Sequence, residues 1–208
     1  MALSKTIKTN SFSVAIWQID ETTEELKRML NNRAIVEKIE ERYNNEKRIR
    51  EQLISHLLLK HLLNKTKEIT HLPNGAPSIE GRADTHISIS HSRKSIAVAI
   101  SPKPIGIDIE EIGRNQYTLH KKFTTPKEQE WIENSRDLSQ KQLISAIIWS
   151  AKEAIYKLAN INGLLFESEI EITPFDPNTE THFKATYRNT PCNCQLLIVS
   201  CQLLVVSC

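Results

Sequence analysis

The 208-residue sequence predicts an α+β fold, and three observations carry that expectation. Short runs such as "FSVAIWQI" (12–19), "THISISHS" (85–92) and "SIAVAIS" (95–101) are β-rich and apolar, as strands are. Longer stretches, notably 45–65 and 144–160, carry apolar residues at helical spacing. The two kinds of element mix without strict βαβ alternation, which favours antiparallel sheets.

Composition narrows the function classes. A net charge of +2 and a pI near 8.3 do not indicate general nucleic-acid binding, while a local basic patch facing a phosphate stays open. The opening "MALSKTIKTNSF" lacks the apolar core of a secretory signal. No stretch approaches the roughly 18 apolar residues of a membrane helix, so a cytoplasmic protein without a membrane or nucleic-acid partner is expected.

"FSVAIWQI" reads as the first strand. "TTEELKRMLNN" and "RAIVEKIEERYNN" read as short helices, the first with an acidic turn after Thr22 or Thr23. "NEKRIREQLISHLLLKHLLNK" is a longer helix with Ile49, Leu53, Leu57 and Leu58 as its core stripe. "LPNGAPSIEG" is turn-rich, and two strands follow it. "SPKP" (101–104) breaks both kinds of regular structure and sets a boundary between residues 1–101 and 102–208.

Beyond it come a strand "IGIDIEEI", a helical region from Tyr117 to Glu133, and the helix "ISAIIWSAKEAIYKLAN" (144–160). Three strand-like runs close the chain: "SEIEITPF", "HFKATYR" and "CQLLIVSCQLLVVS". Cys192, Cys194, Cys201 and Cys208 crowd this end, but "CNC" supplies only one tight pair. The apolar repeat around them reads as buried strand, not as a metal or redox site.

Side chains alternate along "PIGIDIEEIGR", so Gly106, Asp108 and Glu110 share one face and Ile105, Ile107 and Ile109 the other. Two like charges about 4 Å apart repel by roughly 4 kcal/mol at an effective dielectric of 20. Burial of such a pair therefore asks for a cation, and hard oxygen ligands suit Mg²⁺. Gly106 on that face leaves room for a ligand to approach. An amphipathic strand with one wet face explains the same pattern.

In the 144–160 helix, Leu143, Ile147, Ala151, Ala154 and Leu158 form the core stripe. Trp149, Glu153 and Tyr156 lie opposite, with Lys152 flanking and Lys157 at the edge. Aromatics on the outer face imply that it too is covered, placing Glu153 in a crevice where it completes a metal site with Asp108 and Glu110. The alternative is a solvated Glu–Lys pair at i,i+4.

Taken together, "GIDIE" (106–110) and, about forty residues later, "WSAKEAIYK" (149–157) resemble the paired signature of the 4′-phosphopantetheinyl transferases. "ISISHS" (87–92), "KFTTPKE" (122–128), "KRIRE" (47–51), "NGAP" (74–77) and "NGLL" extend the resemblance over most of the chain. The length is similar to that of the two-domain type used by surfactin-like synthetases. The resemblance implies two similar α/β half-domains in a pseudo-dimer, acting as a monomer, with coenzyme A in the cleft between them. It implies transfer of the phosphopantetheine arm of coenzyme A to a serine of an apo acyl or peptidyl carrier protein.

By the same resemblance Mg²⁺, or Mn²⁺ in its place, is held by Asp108, Glu110 and Glu153, with Asp108 also on the cofactor side. Lys157 contacts phosphate; Ser90 and His91, supported by Arg50, meet the 3′-phosphate side. Glu153 is the candidate acceptor of the serine proton and Glu128 the second. The family turn usually carries Lys where this chain has Ala76, so nucleotide affinity is either weaker here or supplied by Arg48, Arg50 or Arg82. "FTTPKEQEWI" (123–132), with Trp131, is the expected carrier-docking segment. The alternatives are a Mg²⁺-dependent hydrolase of nucleotide pyrophosphates and a non-catalytic module binding a carrier protein or coenzyme A.

Overall fold

The computed structural model describes residues 3–111, 116–199 and 202–207. The chain divides into two compact units, Met1–Lys103 and Pro104–Cys208, each mixing helices with antiparallel sheet.

In the N-terminal unit β1 (Leu3–Lys8) and β2 (Ser13–Gln18) form a hairpin, followed by α1 (Thr23–Leu30), α2 (Arg33–Arg42) and α3 (Glu46–Leu63). A small hairpin, β3 (Ile69–His71) and β4 (Pro77–Ile79), precedes β5 (His86–His91) and β6 (Ser95–Ser101). The main sheet runs β1-β2-β6-β5. Thr22 caps α1 in a reciprocal box with Glu25, while Asn32 and Asn45 cap α2 and α3. Leu53, Leu57 and Leu58 are buried as their spacing predicts, and Ile54, Leu59 and Leu62 join them. The helix is thus apolar on more than one stripe. The turn-rich "LPNGAPSIEG" contributes β4, and β1 is a strand that its polar sequence does not announce.

The C-terminal unit begins with β7 (Gly106–Glu111) and a short 3₁₀ helix (Tyr117–Lys122). It continues through α4 (Pro126–Glu133), α5 (Leu138–Ala159), α6 (Phe166–Glu169), β8 (Ile170–Ile172), β9 (His182–Tyr187), β10 (Thr190–Val199) and β11 (Gln202–Ser207). Its sheet runs β7-β11-β10-β9-β8. The expected helical stretch 117–133 is two elements, because Thr125 caps a new helix with Pro126 in its first turn.

The two units share a topology. In each, a strand leads into helices and returns through a hairpin whose second strand pairs with the first: β2-β6-β5 and β7-β11-β10. The near-repeat at the C-terminus forms both arms of the second hairpin, with Gln195 opposite Val206 and Leu197 opposite Leu204. Cys192 and Cys194 are buried; Cys192 donates to Ala185 O and Cys194 Sγ lies 3.0 Å from Ser207 Oγ. Cys201 and Cys208 lie outside the described residues.

Helix α5 packs on β7 and β11, and Gly106 decides how closely. A Cβ at Gly106 would lie 1.9 Å from Ala154 O and 2.7 Å from Leu158 N. The expectation that Gly106 makes room for a ligand is therefore corrected: the room is filled by the helix backbone. The clashing atoms are backbone, so relief of the contact requires α5 to move away from β7. Gly106→Ala is expected to cost about 3 kcal/mol or more, read as a lowered midpoint in denaturant unfolding.

Candidate functional site

Strand β7 and helix α5 bring the acidic residues to one place in the C-terminal unit. Asp108 and Glu110 are buried on the strand, and the half-buried Glu153 lies on the helix. Asp108 Oδ2 accepts from Ser150 Oγ at 2.9 Å, and Asp108 Oδ1 accepts from Lys157 Nζ at 2.9 Å. Lys157 Nζ also donates to the Ile107 carbonyl at 3.0 Å. Lys157 thus reaches across to the strand, and the solvated Glu–Lys pair is not the arrangement found. Glu110 Oε2 accepts from Gln116 Nε2 at 3.1 Å.

Burial pushes the Glu153 carboxyl up; Lys157 pulls it down, and the Asp108 and Glu110 charges push it further up. The three carboxylates therefore feel one another. Their oxygens are not gathered at the spacing of a finished metal cage among the described residues. Like charges brought this close favour separation of their carboxylates. The donor set nonetheless fits a hard divalent cation, which relieves the repulsion that the fold imposes on Glu153.

Glu128 takes a different place. It is fully buried, with Oε1 accepting from Ile172 N and Oε2 from Thr125 N, each at 2.7 Å. Lys152 Nζ lies 2.7 Å from the same Oε2 and donates to the Phe166 and Ile170 carbonyls at 2.7 Å. Burial raises the Glu128 carboxyl and lowers the Lys152 ammonium, and the pair's own attraction opposes both shifts. Every donor of Lys152 is engaged. These bonds tie α4, α5, α6 and β8 together, so Glu128 is committed to structure and does not suit the role of second proton acceptor.

The outer face of α5 is covered, but by its own unit. Trp149 packs edge-on to Phe123 at 5.0 Å and against Phe166 at 5.7 Å, and Tyr156 packs against Phe166 at 5.8 Å. The expected docking segment also turns inward: Phe123 and Ile132 are buried, and Trp131 lies 5.6 Å from Phe175.

In the N-terminal unit Arg50 has a buried Nε with no hydrogen-bond partner among the described residues. Its neighbours differ. Arg48 Nη1 donates to the buried Glu51 at 2.9 Å, and Arg82 donates to Thr85 Oγ1. Of the three arginines, Arg50 carries the unmet donor. His91, at the end of β5, places Nε2 3.9 Å from Glu51 Oε2, and Ser90 beside it is buried. Glu51, Ser150 and Gln116 escaped the sequence reading, since each becomes informative only through a partner distant in sequence or across a turn.

Residues 104–198 match the model of the 4′-phosphopantetheinyl transferase superfamily. The C-terminal unit is thus similar to this superfamily. It is 35% identical over 85 residues to the 4′-phosphopantetheinyl transferase of Bacillus subtilis, covering 41% of this chain and 38% of that protein. It is 30% identical over 128 residues to the 4′-phosphopantetheinyl transferase gsp of Aneurinibacillus migulanus, covering 56% and 51%. Psf-1 of Bacillus pumilus, another 4′-phosphopantetheinyl transferase, is 28% identical over 119 residues, covering 52% and 49%. The chain spans about half the length of the curated relatives it matches, or less. The superfamily match contains Asp108, Glu110, Glu153 and Lys157 and stops short of β11. No helix among the described residues is long and apolar enough to cross a membrane.

Two outcomes are expected. Lys152→Met leaves Glu128 buried without its cation and should lower unfolding free energy by about 3–5 kcal/mol, while Lys152→Met/Glu128→Gln recovers most of it. Glu153 binds its proton more tightly folded than unfolded, so its ionisation costs stability as pH rises through the raised pKa. Without divalent cation, Glu153→Gln should melt a few degrees above wild type near pH 8, and the gain should vanish near pH 4. A wild-type advantage at pH 8 would refute the raised proton affinity of Glu153.

Proposed function

We propose that the protein transfers the 4′-phosphopantetheine group of coenzyme A to a serine of an apo acyl or peptidyl carrier protein, releasing adenosine 3′,5′-bisphosphate. The observation that carries this reading is the clustering of Asp108, Glu110, Glu153 and Lys157 inside the domain that matches the superfamily. The reading takes the two units as halves of a pseudo-dimer.

Asp108, Glu110 and Glu153 would hold Mg²⁺, or Mn²⁺ in its place. When bound, the cation supplies neutralisation of the charge that develops on the pyrophosphate. Ser150 and Lys157 fix the two oxygens of Asp108 from the helix, setting its orientation before any ligand arrives. Lys157 offers phosphate a positive charge held in place by β7. Glu153 is the proton acceptor for the carrier serine: burial raises its affinity for a proton towards the range that a general base needs. On the nucleotide side, Arg50 supplies the unmet guanidinium donor, with His91 and Ser90 at the end of β5. Arg50 supports phosphate binding in a chain that has Ala76 in its turn.

The test is to incubate the protein with coenzyme A, Mg²⁺ and an apo carrier protein and to weigh the carrier by mass spectrometry. A carrier heavier by one phosphopantetheine is expected, and Glu153→Gln should abolish the gain without unfolding the protein. Hydrolysis of coenzyme A with an unmodified carrier would replace the transferase by a pyrophosphate hydrolase. No change in either would leave a binding module.

A further inference from the structure

One buried polar group in the C-terminal unit is spent on neither packing nor capping. Gln116 occupies the N-cap position of the 3₁₀ helix, yet its side chain makes no capping bond. The side chain turns back towards β7, where Nε2 donates to Glu110 Oε2 at 3.1 Å. Only 7% of Gln116 is exposed, and its Oε1 is buried with no hydrogen-bond partner among the described residues. An unmet buried acceptor of this kind costs about 1–3 kcal/mol. Leu or Met would fill the volume without that cost.

We propose that Gln116 is a positioning residue for the divalent-cation site, holding Glu110 in its ligating orientation and lending Oε1 as a neutral oxygen to the hydrated cation. The inference rests on the reading of Asp108, Glu110 and Glu153 as cation ligands. A carboxylate on a strand has free torsions beyond Cβ, and repulsion from Asp108 and Glu153 drives Glu110 away from them. The amide bond to Gln116 opposes that drift from the side of the 3₁₀ helix. Because the amide is neutral, it fixes Glu110 without adding to the local charge. Oε1, on the other arm of the same planar amide, then accepts from a water of the cation's shell, which satisfies the orphaned atom. Divalent cations that keep several waters are those for which such an acceptor counts.

The chain, purified with chelator and dialysed, is titrated with Mn²⁺ while the free-ion signal is followed by electron paramagnetic resonance. Gln116→Met and Gln116→Asn are each expected to weaken Mn²⁺ binding about tenfold, the size of effect that partners of metal ligands have. Melting temperatures in chelator should stay within a few degrees of wild type. Mn²⁺ affinity within about twofold of wild type in either variant overturns the proposal, given that outer partners ordinarily cost tenfold or more. So does a loss of affinity that merely tracks a fall in melting temperature. If the wild type binds no Mn²⁺, the cation reading itself fails together with this inference. If wild type and both variants bind alike, only the role of Gln116 fails.

Discussion

The approach of α5 to β7 at Gly106 is the constraint on which the rest of the C-terminal unit depends. With the helix backbone against the strand, Ser150, Glu153 and Lys157 on successive turns meet Asp108 and Glu110 on alternate strand positions. A side chain at 106 would hold the two elements apart, and the short bonds to Asp108 would be lost. The glycine thus sets reach, and the charged residues only use it. The buried Lys152–Glu128 pair completes the clamp from the other side of the helix, tying α5 to α4 and to the corner between α6 and β8.

The same geometry stores electrostatic tension. Among the described residues three carboxylates gather around the Lys157 ammonium, and burial first, then the Asp108 and Glu110 charges, raise the proton affinity of Glu153. An apolar lining of equal volume would be more stable. Stability given up at one point of an otherwise well-packed unit is the usual mark of a site shaped for a ligand. The donor on Arg50 and the acceptor on Gln116 that stay unmet among the described residues are local signs of the same kind.

Much of the architecture was legible in the sequence where pattern and burial agree. β2, β5, β6 and β7 follow from apolar runs, α1 from its capping threonine, and α3 and α5 from their periodicity. β1 was not legible because "LSKTIK" is polar enough to pass for a tail, and only pairing with β2 makes it a strand. The fully buried Lys152 was read as flanking, since composition treats lysine as a surface residue until a buried acid and two carbonyls answer it. In the site, Asp108, Glu110, Glu153 and Lys157 were visible as two spaced motifs. Ser150 and Gln116 were not, because a serine or glutamine carries no signal until a partner faces it. Trp149 and Tyr156 were rightly read as covered, but what covers them, Phe123 and Phe166, lay in segments whose fold the periodicity did not determine.

The terminal hairpin shows how a doubled segment can enter a sheet without redesign. The copies "CQLLIVS" and "CQLLVVS" have an odd length and pair head to tail, so position k of one faces position 8 − k of the other. Those two numbers always share parity, and residues of equal parity point to one side of a pleated strand. Each copy therefore turns its own odd positions to the same face as its twin: Cys194 and Leu196 lie with Val205 and Ser207, all buried. Duplication of a strand of odd length is in this sense self-registering. It supplies the neighbour of the carboxylate-bearing β7 from information that one strand already contained.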